Sequence, residues 1–424
     1  MSGSVLGRVL DRRRFSEREA REVFDRLLHP ETNDVERAGI LAALAARPLD
    51  AAELAAFARE MRRRATPFTV PNGDAPIDLC GSGGAPVPSF NVSTVSAFVV
   101  AAAGVPVVKH GNRSATGVCG SSDLLEALGL PVTTSVGFAA AAYRAQRLAF
   151  LHAPLYHPAT KSVAAARRAL GVPTIFNRLG PLSNPARVPY QLAGAPSREL
   201  ARTFAEVLGH LGLRRGLAMT SADGCDEFSP RAPTTTYLFG RSGRRTRVVR
   251  PEQYLVSAER RGSWASLPPA RAAEEAERIL HGGDGARRGA VLLTSGTALW
   301  LTGRATTIAD GVDAARAAVD RGAAEVAVEA HDAEDRAGEQ DVSRVDSREP
   351  PGPDHVHAPQ RQEPDERGRD EHITLEQRAR TEACIDRGLD PHRGRRHPHS
   401  RAPHDLGPFV SPEESNEGPG GKPR

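Results

Sequence analysis

The sequence predicts an α/β protein with three parts. A small N-terminal helical domain is predicted over residues 1–66, where Ala, Leu, Arg and Glu dominate and β-branched residues are few. A larger domain is predicted over residues 77–325, where short apolar segments alternate with helical ones. Such alternation is typical of a mostly parallel central sheet flanked by helices. A disordered C-terminal tail is predicted over residues 331–424.

Two capping signals support the helical domain. Ser16-x-x-Glu19 and Asp50-x-x-Glu53 each place a side-chain acceptor before an apolar-periodic run, with an acid three residues later. In a capping box the two side chains satisfy each other's free backbone N–H groups at the start of a helix. We therefore expect helices to begin directly after Ser16 and Asp50. We interpret Pro67–Pro76 as a linker to the next domain.

The larger domain contains strand-like and helix-like segments in alternation. The predicted strands are Ile77–Cys80, Val105–Val108, Leu148–Leu151, Gln191–Ala193, Gly216–Met219, Thr234–Leu238 and Thr246–Val249. The predicted helices are Val92–Ala103, a short helix capped by Asp123-x-x-Glu126, Pro158–Leu170, Arg198–Leu211, Ala270–Leu280, Arg287–Thr302 and Ile308–Gly322.

The tail differs abruptly in composition from everything before it. Residues 331–424 contain only ten residues of the Val, Ile, Leu, Phe and Met types, but eight of the 14 histidines. Such a segment buries too little apolar surface to offset its chain entropy, so we predict disorder. A shifted reading frame or a fused extension near residues 324–332 is our hypothesis for the change.

The overall composition excludes several classes of protein. The longest apolar run, near Ala97–Val108, is too short and too broken to span a bilayer. The first 14 residues lack an apolar signal core, so we expect a cytoplasmic protein without a membrane partner. Four cysteines without CxxC spacing argue against a disulfide scaffold and a structural zinc site. A net charge of only +4 does not favour nucleic acid as a partner.

A glycine-rich turn follows the first predicted strand. It has the sequence Gly81-Ser82-Gly83-Gly84 and is followed by Asn91-Val92-Ser93-Thr94, where a helix is predicted to begin. Glycines let the backbone approach a ligand, and a helix N-terminus favours an anion. The hydroxyls of Ser93 and Thr94 can bind phosphate oxygens or a metal. The pattern suits a phosphate, although it matches neither a P-loop nor a dinucleotide fingerprint, and a simple tight turn remains the alternative.

A second polar segment follows the second predicted strand. Lys109-His110-Gly111-Asn112-Arg113-Ser114 combines cations, an imidazole and an amide, and Gly120-Ser121 opens the next helix. Ligands bind beyond the carboxyl ends of strands in open parallel sheets. We therefore expect the two segments to meet at one edge of the sheet, with a solvated loop as the alternative.

Together these motifs resemble the anthranilate phosphoribosyltransferase family. So does Phe176-Asn177-Arg178-Leu179-Gly180-Pro181-Leu182-Ser183-Asn184-Pro185, and Asp226-Glu227 resembles the family's acidic pair. The resemblance spans about residues 5–325. It implies a fold of the nucleoside phosphorylase and phosphoribosyltransferase type, and a homodimer. It also implies a glycosyltransferase of tryptophan biosynthesis that transfers the phosphoribosyl group of phosphoribosyl pyrophosphate (PRPP) to the amine of anthranilate.

The resemblance also implies roles for single residues. Those implied to bind PRPP are Gly81, Gly83, Gly84, Ser89, Asn91, Ser93, Thr94, Lys109, His110, Gly111, Asn112, Arg113, Ser114 and Ser121. Those implied to bind anthranilate are Gly81, Asn112 and Arg167, whose planar guanidinium can pair with the carboxylate. Those implied to bind Mg²⁺ are Ser93, Asp226 and Glu227, whose oxygens are the ligands Mg²⁺ prefers. No residue is assigned as an acid or a base.

Three positions depart from the family pattern. Ala85 stands where the family usually has Asp, Thr160 where it often has Met, and Thr294 where Asn is common. Other functions therefore stay open. One is the same chemistry with another aromatic amine. Another is a non-catalytic relative that binds nucleic acid or another anion, supported by Ala85 and the arginine-rich run 241–247. A nucleoside phosphorylase is a weaker alternative, because the Lys-His-Ser that precedes its glycine-rich turn is replaced here by Asp78-Leu79-Cys80.

Overall fold

The structure, a computed structural model, describes residues 4–11, 14–82, 87, 89–114, 118–133, 135–240 and 243–322. The predicted tail at 331–424 lies outside the described residues. So do three positions of the glycine-rich turn, Gly83, Gly84 and Ala85.

Four helices form the N-terminal part of the chain. They are α1 (Val5–Leu10), α2 (Glu17–Leu28), α3 (Asp34–Ala45) and α4 (Ala51–Arg63). Both predicted capping boxes are confirmed, at Ser16 for α2 and at Asp50 for α4. The helices pack around buried aromatic rings, with Phe24 and Phe57 at 5.6 Å between ring centroids. These rings belong to an apolar core that the helical domain shares with α11 (Arg198–His210) and with sheet residues such as Ala193 and Ala218.

Within the described residues, seven strands form one sheet in the order β3-β2-β1-β4-β5-β6-β7. The first five strands are parallel and the last two are antiparallel to their neighbours, which confirms the predicted mostly parallel sheet. The strands are β1 (Ile77–Cys80), β2 (Val107–Gly111), β3 (Leu148–His152), β4 (Tyr190–Gly194), β5 (Arg215–Ser221), β6 (Thr234–Gly240) and β7 (Gly243–Val249).

Helices cover both faces of the sheet. On one face α5 packs against α13 and α14, and on the other α11 packs against α4. None of the described helices is long and apolar enough to cross a membrane. The helices are α5 (Val92–Ala102), α6 (Ser121–Ala127), α7 (Val136–Gln146), α8 (Ala153–Tyr156), α9 (Ala164–Leu170), α10 (Ile175–Leu179), α11 (Arg198–His210), α12 (Pro269–Leu280), α13 (Ala286–Thr302) and α14 (Ile308–Asp320).

Three helix predictions need correction. Asp123 is not the N-cap of α6 but its third residue, and its carboxylate accepts the backbone N–H of the actual cap, Gly120, at 2.8 Å. The predicted helix Pro158–Leu170 begins as a 3₁₀ turn over Pro158–Val163, and the α-helix starts at Ala164. Helix α7 was not predicted, although Ser135 caps it by accepting the N–H of Phe138 at 3.1 Å.

The segment around α9 and α10 packs into the core of the helical domain. Phe176 of α10 lies 5.8 Å from Phe24 of α2, and Val163 and Leu182 belong to the same buried cluster. A stretch of chain that follows β3 therefore shares an apolar core with α1–α4.

The last described helix is anchored by ion pairs. Arg316 of α14 donates two hydrogen bonds of 2.9 Å to the buried Glu259. Asp320, the last residue of α14, accepts a 2.6 Å hydrogen bond from Arg288 of α13. These contacts hold α14 against the body of the α/β domain.

Candidate active site

The site is built where the carboxyl ends of β1 and β4 meet the loop between β5 and β6. A β-carbon built on Gly194, the last residue of β4, would lie 1.7 Å from the backbone oxygen of Asp226. A β-carbon on Gly81, which follows β1, would lie 3.1 Å from Asp226 Oδ2 and 3.2 Å from Glu227 Oε1. Two glycines therefore give the acidic pair room to approach the sheet. Gly81 was predicted from the sequence and Gly194 was not.

Hydrogen bonds within the β5–β6 loop hold the acidic pair. The Ser221 hydroxyl donates to the backbone oxygen of Glu227 at 2.6 Å and lies 2.7 Å from the hydroxyl of Thr234. It also accepts the N–H of Ser229 at 3.2 Å. The ends of β5 and β6 thus clamp the loop at several points. A loop tied down in this way presents its side chains with little freedom.

The Glu227 carboxyl group is buried at the start of α5. It accepts hydrogen bonds from both the backbone and the side chain of Ser93, the second residue of that helix. Burial, and to a lesser extent the charge of Asp226, raise the pKa of Glu227 to about 8. Its Oε2 atom is buried without a hydrogen-bond partner among the described residues. Two adjacent carboxylates and an unpartnered oxygen form a hard-oxygen site suited to a divalent cation.

Ser82 is a site residue that the sequence analysis missed. Its backbone N–H and its hydroxyl both donate to Asp226 Oδ2, at 2.5 and 2.6 Å. The side chain of the glycine-rich turn therefore contacts the acidic pair directly. Its position between two of the predicted glycines is the only signal in the sequence that could have identified it.

Lys109 places a buried cation beside this cluster. Its Nζ atom donates to the Leu79 backbone oxygen at 2.5 Å and to the Ser93 hydroxyl at 3.2 Å. The lysine is only 3% exposed. The geometry brings Lys109, Ser93, Gly81 and the acidic pair together, as expected from two strand ends that meet at one edge of the sheet.

Asn91 ends the cluster at the cap of α5. Its amide nitrogen donates to the Cys119 backbone oxygen at 3.1 Å, and its Oδ1 atom is buried without a partner among the described residues. Thr94 is buried within the first turn of α5. Ser89 lies just outside, in an isolated antiparallel bridge with Ala265. All three residues therefore lie at or before the N-terminus of this helix.

The loop after β2 is packed against the start of α6. The Ser121 hydroxyl accepts the N–H of Asn112 at 3.0 Å and donates to its carbonyl at 3.1 Å. A β-carbon on Gly111 would lie 2.1 Å from that hydroxyl. The N–H of Ser114 is held by Asp123 at 2.9 Å. These predicted residues thus form one locked turn beside Lys109.

Arg113 and His110 are placed differently from Lys109. Arg113 pairs with Asp123 and Glu126 of α6, at 3.1 and 2.6 Å. The His110 side chain points to the opposite face of the sheet, since side chains alternate along a strand. There its ring meets that of His157 edge-on, at 5.1 Å between centroids. Burial holds the pKa of His110 well below its usual range, so the imidazole is neutral at pH 7.

Arg167 lies on α9 over an aromatic ring. Its guanidinium carbon is 5.3 Å from the centroid of Phe176, and partial burial lowers its pKa. Among the described residues, no carboxylate pairs with it. A guanidinium placed over a ring without a carboxylate partner among the described residues is suited to bind a planar carboxylate.

Comparison with protein families matches nearly all of the described chain. Residues 4–65 match the helical bundle domain, and residues 73–325 the a/b domain, of a glycosyl transferase family. The chain is 40% identical over 312 residues to anthranilate phosphoribosyltransferase 2 of Streptomyces coelicolor, covering 74% of this chain and 93% of the relative. It is 38% identical over 330 residues to anthranilate phosphoribosyltransferase of Moorella thermoacetica, covering 78% and 97%.

Solved structures show the same similarity. The crystal structure of anthranilate phosphoribosyltransferase from Thermus thermophilus superposes with a TM-score of 0.72 at 34% identity, over 78% of this chain and 99% of that one. The Saccharomyces cerevisiae enzyme in complex with PRPP and Mg superposes with a TM-score of 0.67 at 23% identity, over 75% and 92%. At that level of identity, the likeness to the yeast protein establishes the fold alone.

Proposed function

Because the chain belongs to the anthranilate phosphoribosyltransferase family, we propose that the cluster around Gly81 is the active site for that family's reaction. The enzyme transfers the phosphoribosyl group of PRPP to the amine of anthranilate. The products are N-(5-phosphoribosyl)anthranilate and pyrophosphate, in tryptophan biosynthesis. The observation that carries the assignment is the buried pair Asp226 and Glu227 against Gly81, beside Ser93 and Lys109.

We assign the metal site to Asp226, Glu227 and Ser93, with Mg²⁺ as the metal. The unpartnered Oε2 of Glu227 and the hard-oxygen donor set support this assignment. When bound, Mg²⁺ would neutralise charge on the pyrophosphate of PRPP. The raised pKa of Glu227 supports the same assignment, because a cation bound beside this carboxyl group would stabilise its ionised form.

The protein's own cation and helix terminus face the same anion. Departure of pyrophosphate leaves negative charge on the leaving group, which a fixed positive group stabilises. Lys109 is buried beside Ser93 and is therefore held in place for this task. The remaining PRPP contacts are proposed at the glycine-rich turn, at Asn91 and Thr94, and in the turn that Ser121 locks.

The acceptor needs positioning rather than activation. The aryl amine of anthranilate is neutral at pH 7 and carries a free lone pair, so no strong base is required. Arg167, which lies over the Phe176 ring, is proposed to bind the anthranilate carboxylate, and the exposed Asn112 to contact the acceptor. Holding the amine next to the sugar carbon lowers the barrier chiefly by orientation.

Pyrophosphate release with and without anthranilate tests the function. Release that depends on anthranilate supports it, release that requires another aromatic amine points to a different acceptor, and no release supports a binding protein. The double variant Asp226→Ala with Glu227→Ala is expected to reduce turnover by about 10³-fold or more across a Mg²⁺ titration. A double variant with the wild-type rate at every Mg²⁺ concentration would contradict the metal assignment.

We also propose a homodimer. Exposed apolar side chains lie on elements that pack together around α3: Leu10 on α1 is 61% exposed, Val35 on α3 83% and Val172 after α9 53%. Large exposed apolar side chains on neighbouring elements favour association. Light scattering coupled to size-exclusion chromatography would give twice the mass of the chain. A monomeric mass at all concentrations would contradict the proposal.

A cytoplasmic location is the last part of the proposal. Cys80, Cys119 and Cys225 are all free thiols. Free thiols are typical of a reducing compartment. Cell fractionation would test the location.

A further inference from the structure

Four consecutive residues after α10 are held by side chains from four other segments. The imidazole of His110, on β2, forms a hydrogen bond to the Gly180 backbone, and the imidazole of His157 forms one to the Ser183 backbone. Between them, the Pro181 oxygen accepts from Gln191 of β4. The Leu182 oxygen accepts from Arg62 Nε at 2.7 Å. We call this stretch, Gly180–Ser183, the tethered loop.

Arg62 is the only one of these four side chains that comes from the N-terminal helices. It lies in the last turn of α4 and is 8% exposed, so its guanidinium is almost entirely removed from water. Its Nη2 atom has no hydrogen-bond partner among the described residues. A buried, incompletely paired cation is costly for stability. We therefore explain the burial of Arg62 by its hydrogen bond to the Leu182 carbonyl, and not by a gain in the stability of the fold.

A buried carboxylate compensates part of that charge. Asp78 of β1 interacts electrostatically with Arg62, accepts the N–H of His110 at 3.2 Å and lies 3.4 Å from Gln191 Nε2. Asp78 therefore lies beside Gln191, which holds Pro181, and its charge interacts with that of Arg62, which holds Leu182. The tethering side chains lie in one buried polar region, where the His110 and His157 rings meet at 5.1 Å, and such an environment couples the positions of neighbouring groups.

The tethered loop directly follows the helix that supports the proposed acceptor site. Phe176 of α10 lies under the Arg167 guanidinium at 5.3 Å, and Leu179 ends α10 immediately before Gly180. A displacement of Leu182 would move α10 and the ring on which Arg167 lies. Arg62 is thus connected to the acceptor site through a short, continuous segment of chain.

We propose that Arg62 is a positioning residue for acceptor binding, through which the helical domain helps to set the place of Arg167. Arg62 acts on the Leu182 carbonyl and touches neither substrate. The inference rests on the proposed function, because it uses Arg167 as the contact to the anthranilate carboxylate. It assigns a role in substrate recognition to a residue of the N-terminal helices.

The test compares three variants of the full chain. Arg62→Met removes the donor at similar length, and Arg62→Lys restores a cation that can reach the carbonyl. Arg63→Met is the matched control, since Arg63 is the next residue of α4, is half-exposed and bonds the nearby Glu60. We expect Arg62→Met to raise KM for anthranilate about tenfold. Its KM for PRPP should stay within about twofold, Arg62→Lys should recover most of the loss, and Arg63→Met should match the wild type.

Hydrogen exchange gives a readout that does not depend on activity. Peptides covering 176–186 should exchange faster in Arg62→Met than in Arg63→Met, while peptides of β5 stay unchanged. Equal rises in both KM values, or no change in the exchange of 176–186, would overturn the proposal. If Arg62→Met does not fold, Arg62→Gln, which removes the charge and shortens the donor, decides by the same two measurements. An inactive wild type with the expected exchange difference would overturn the proposed function but not the tether.

Discussion

Ser82 donates two hydrogen bonds to one carboxylate oxygen, Oδ2 of Asp226, at 2.5 Å from its backbone nitrogen and 2.6 Å from its hydroxyl. Hydrogen bonds to a charged acceptor are stronger than neutral ones and fix its orientation. The turn after β1 therefore sets the direction of a carboxylate that lies 144 residues later in the chain.

Ser82→Ala removes the hydroxyl but keeps the backbone bond. We expect the Mg²⁺ concentration that gives half-maximal activity to rise about three- to tenfold, because Asp226 loses part of its orientation. Ser82→Thr keeps a hydroxyl and should stay near the wild type. A lower Mg²⁺ requirement in Ser82→Ala would instead show that the hydroxyl competes with the metal.

Arg167→Ala is expected to raise KM for anthranilate about ten- to a hundredfold, and KM for PRPP much less. The reason is the loss of one charge-assisted pair, about 1.5–3 kcal/mol. Steady-state kinetics with each substrate varied in turn measure the difference. Arg168→Ala, at the exposed neighbouring position, is the control and should change neither value. Equal effects of Arg167→Ala on both substrates would indicate a structural role.

Acid should destabilise the protein through His157. Burial lowers the pKa of this imidazole to about 4, whereas an unfolded chain takes up the proton near 6.5. Between these values the unfolded state binds more protons, so stability is complete above pH 6.5 and is lost as the pH falls towards 4. We expect a loss of about 1.6 kcal/mol between pH 6.5 and pH 5 from this group.

Urea denaturation at the two pH values would measure that loss. His157→Asn should reduce the measured loss by that amount, because no titrating ring remains at the position, and the buried His110 accounts for a further part. His29→Asn, at an exposed site, should keep the wild-type dependence. Parallel behaviour of the two variants would show that the acid sensitivity arises elsewhere.

Removal of residues 331–424 is expected to leave Tm within about 2 °C and turnover unchanged. The last described helix, α14, is already held by Glu259 and Arg288. In the shortened chain Glu259→Gln should lower Tm by at least about 4 °C, since it removes the buried negative charge that Arg316 and the buried Arg288 share. A shortened chain that does not fold would show that residues beyond 330 support the body.

Local signals in the sequence were sufficient to predict most of the helices and strands. The capping boxes at Ser16 and Asp50 predicted two helices, and β1 has the predicted bounds, Ile77–Cys80. Helix α7 was not predicted because its alanine-rich sequence shows little apolar periodicity. Asp123 was wrongly predicted as the N-cap of α6 because the actual cap is a glycine, Gly120.

Contacts between distant segments could not be predicted in this way. Ser82 and Gly194 belong to the site because Asp226 approaches both of them in the folded chain. Neither the spacing of residues nor the composition predicts that approach. Arg62 is one of three successive arginines at the end of a helix, a pattern typical of a solvated face. Only the packing of α4 on the tethered loop distinguishes it from its neighbours.

The position of β7 at the edge of the sheet explains the arginine-rich run 241–247 without nucleic-acid binding. Within the described ranges β7 pairs with β6 alone, so one side of its backbone is open. Arg244, paired with Glu206, and Arg247, bonded to the Tyr254 hydroxyl, are exposed on this strand. An open strand edge is a template on which other chains can add and aggregate, and bulky like charges oppose such addition. The arginines therefore protect this edge against aggregation. Their replacement by Thr or Val would lower the solubility of the protein before it changed any other property.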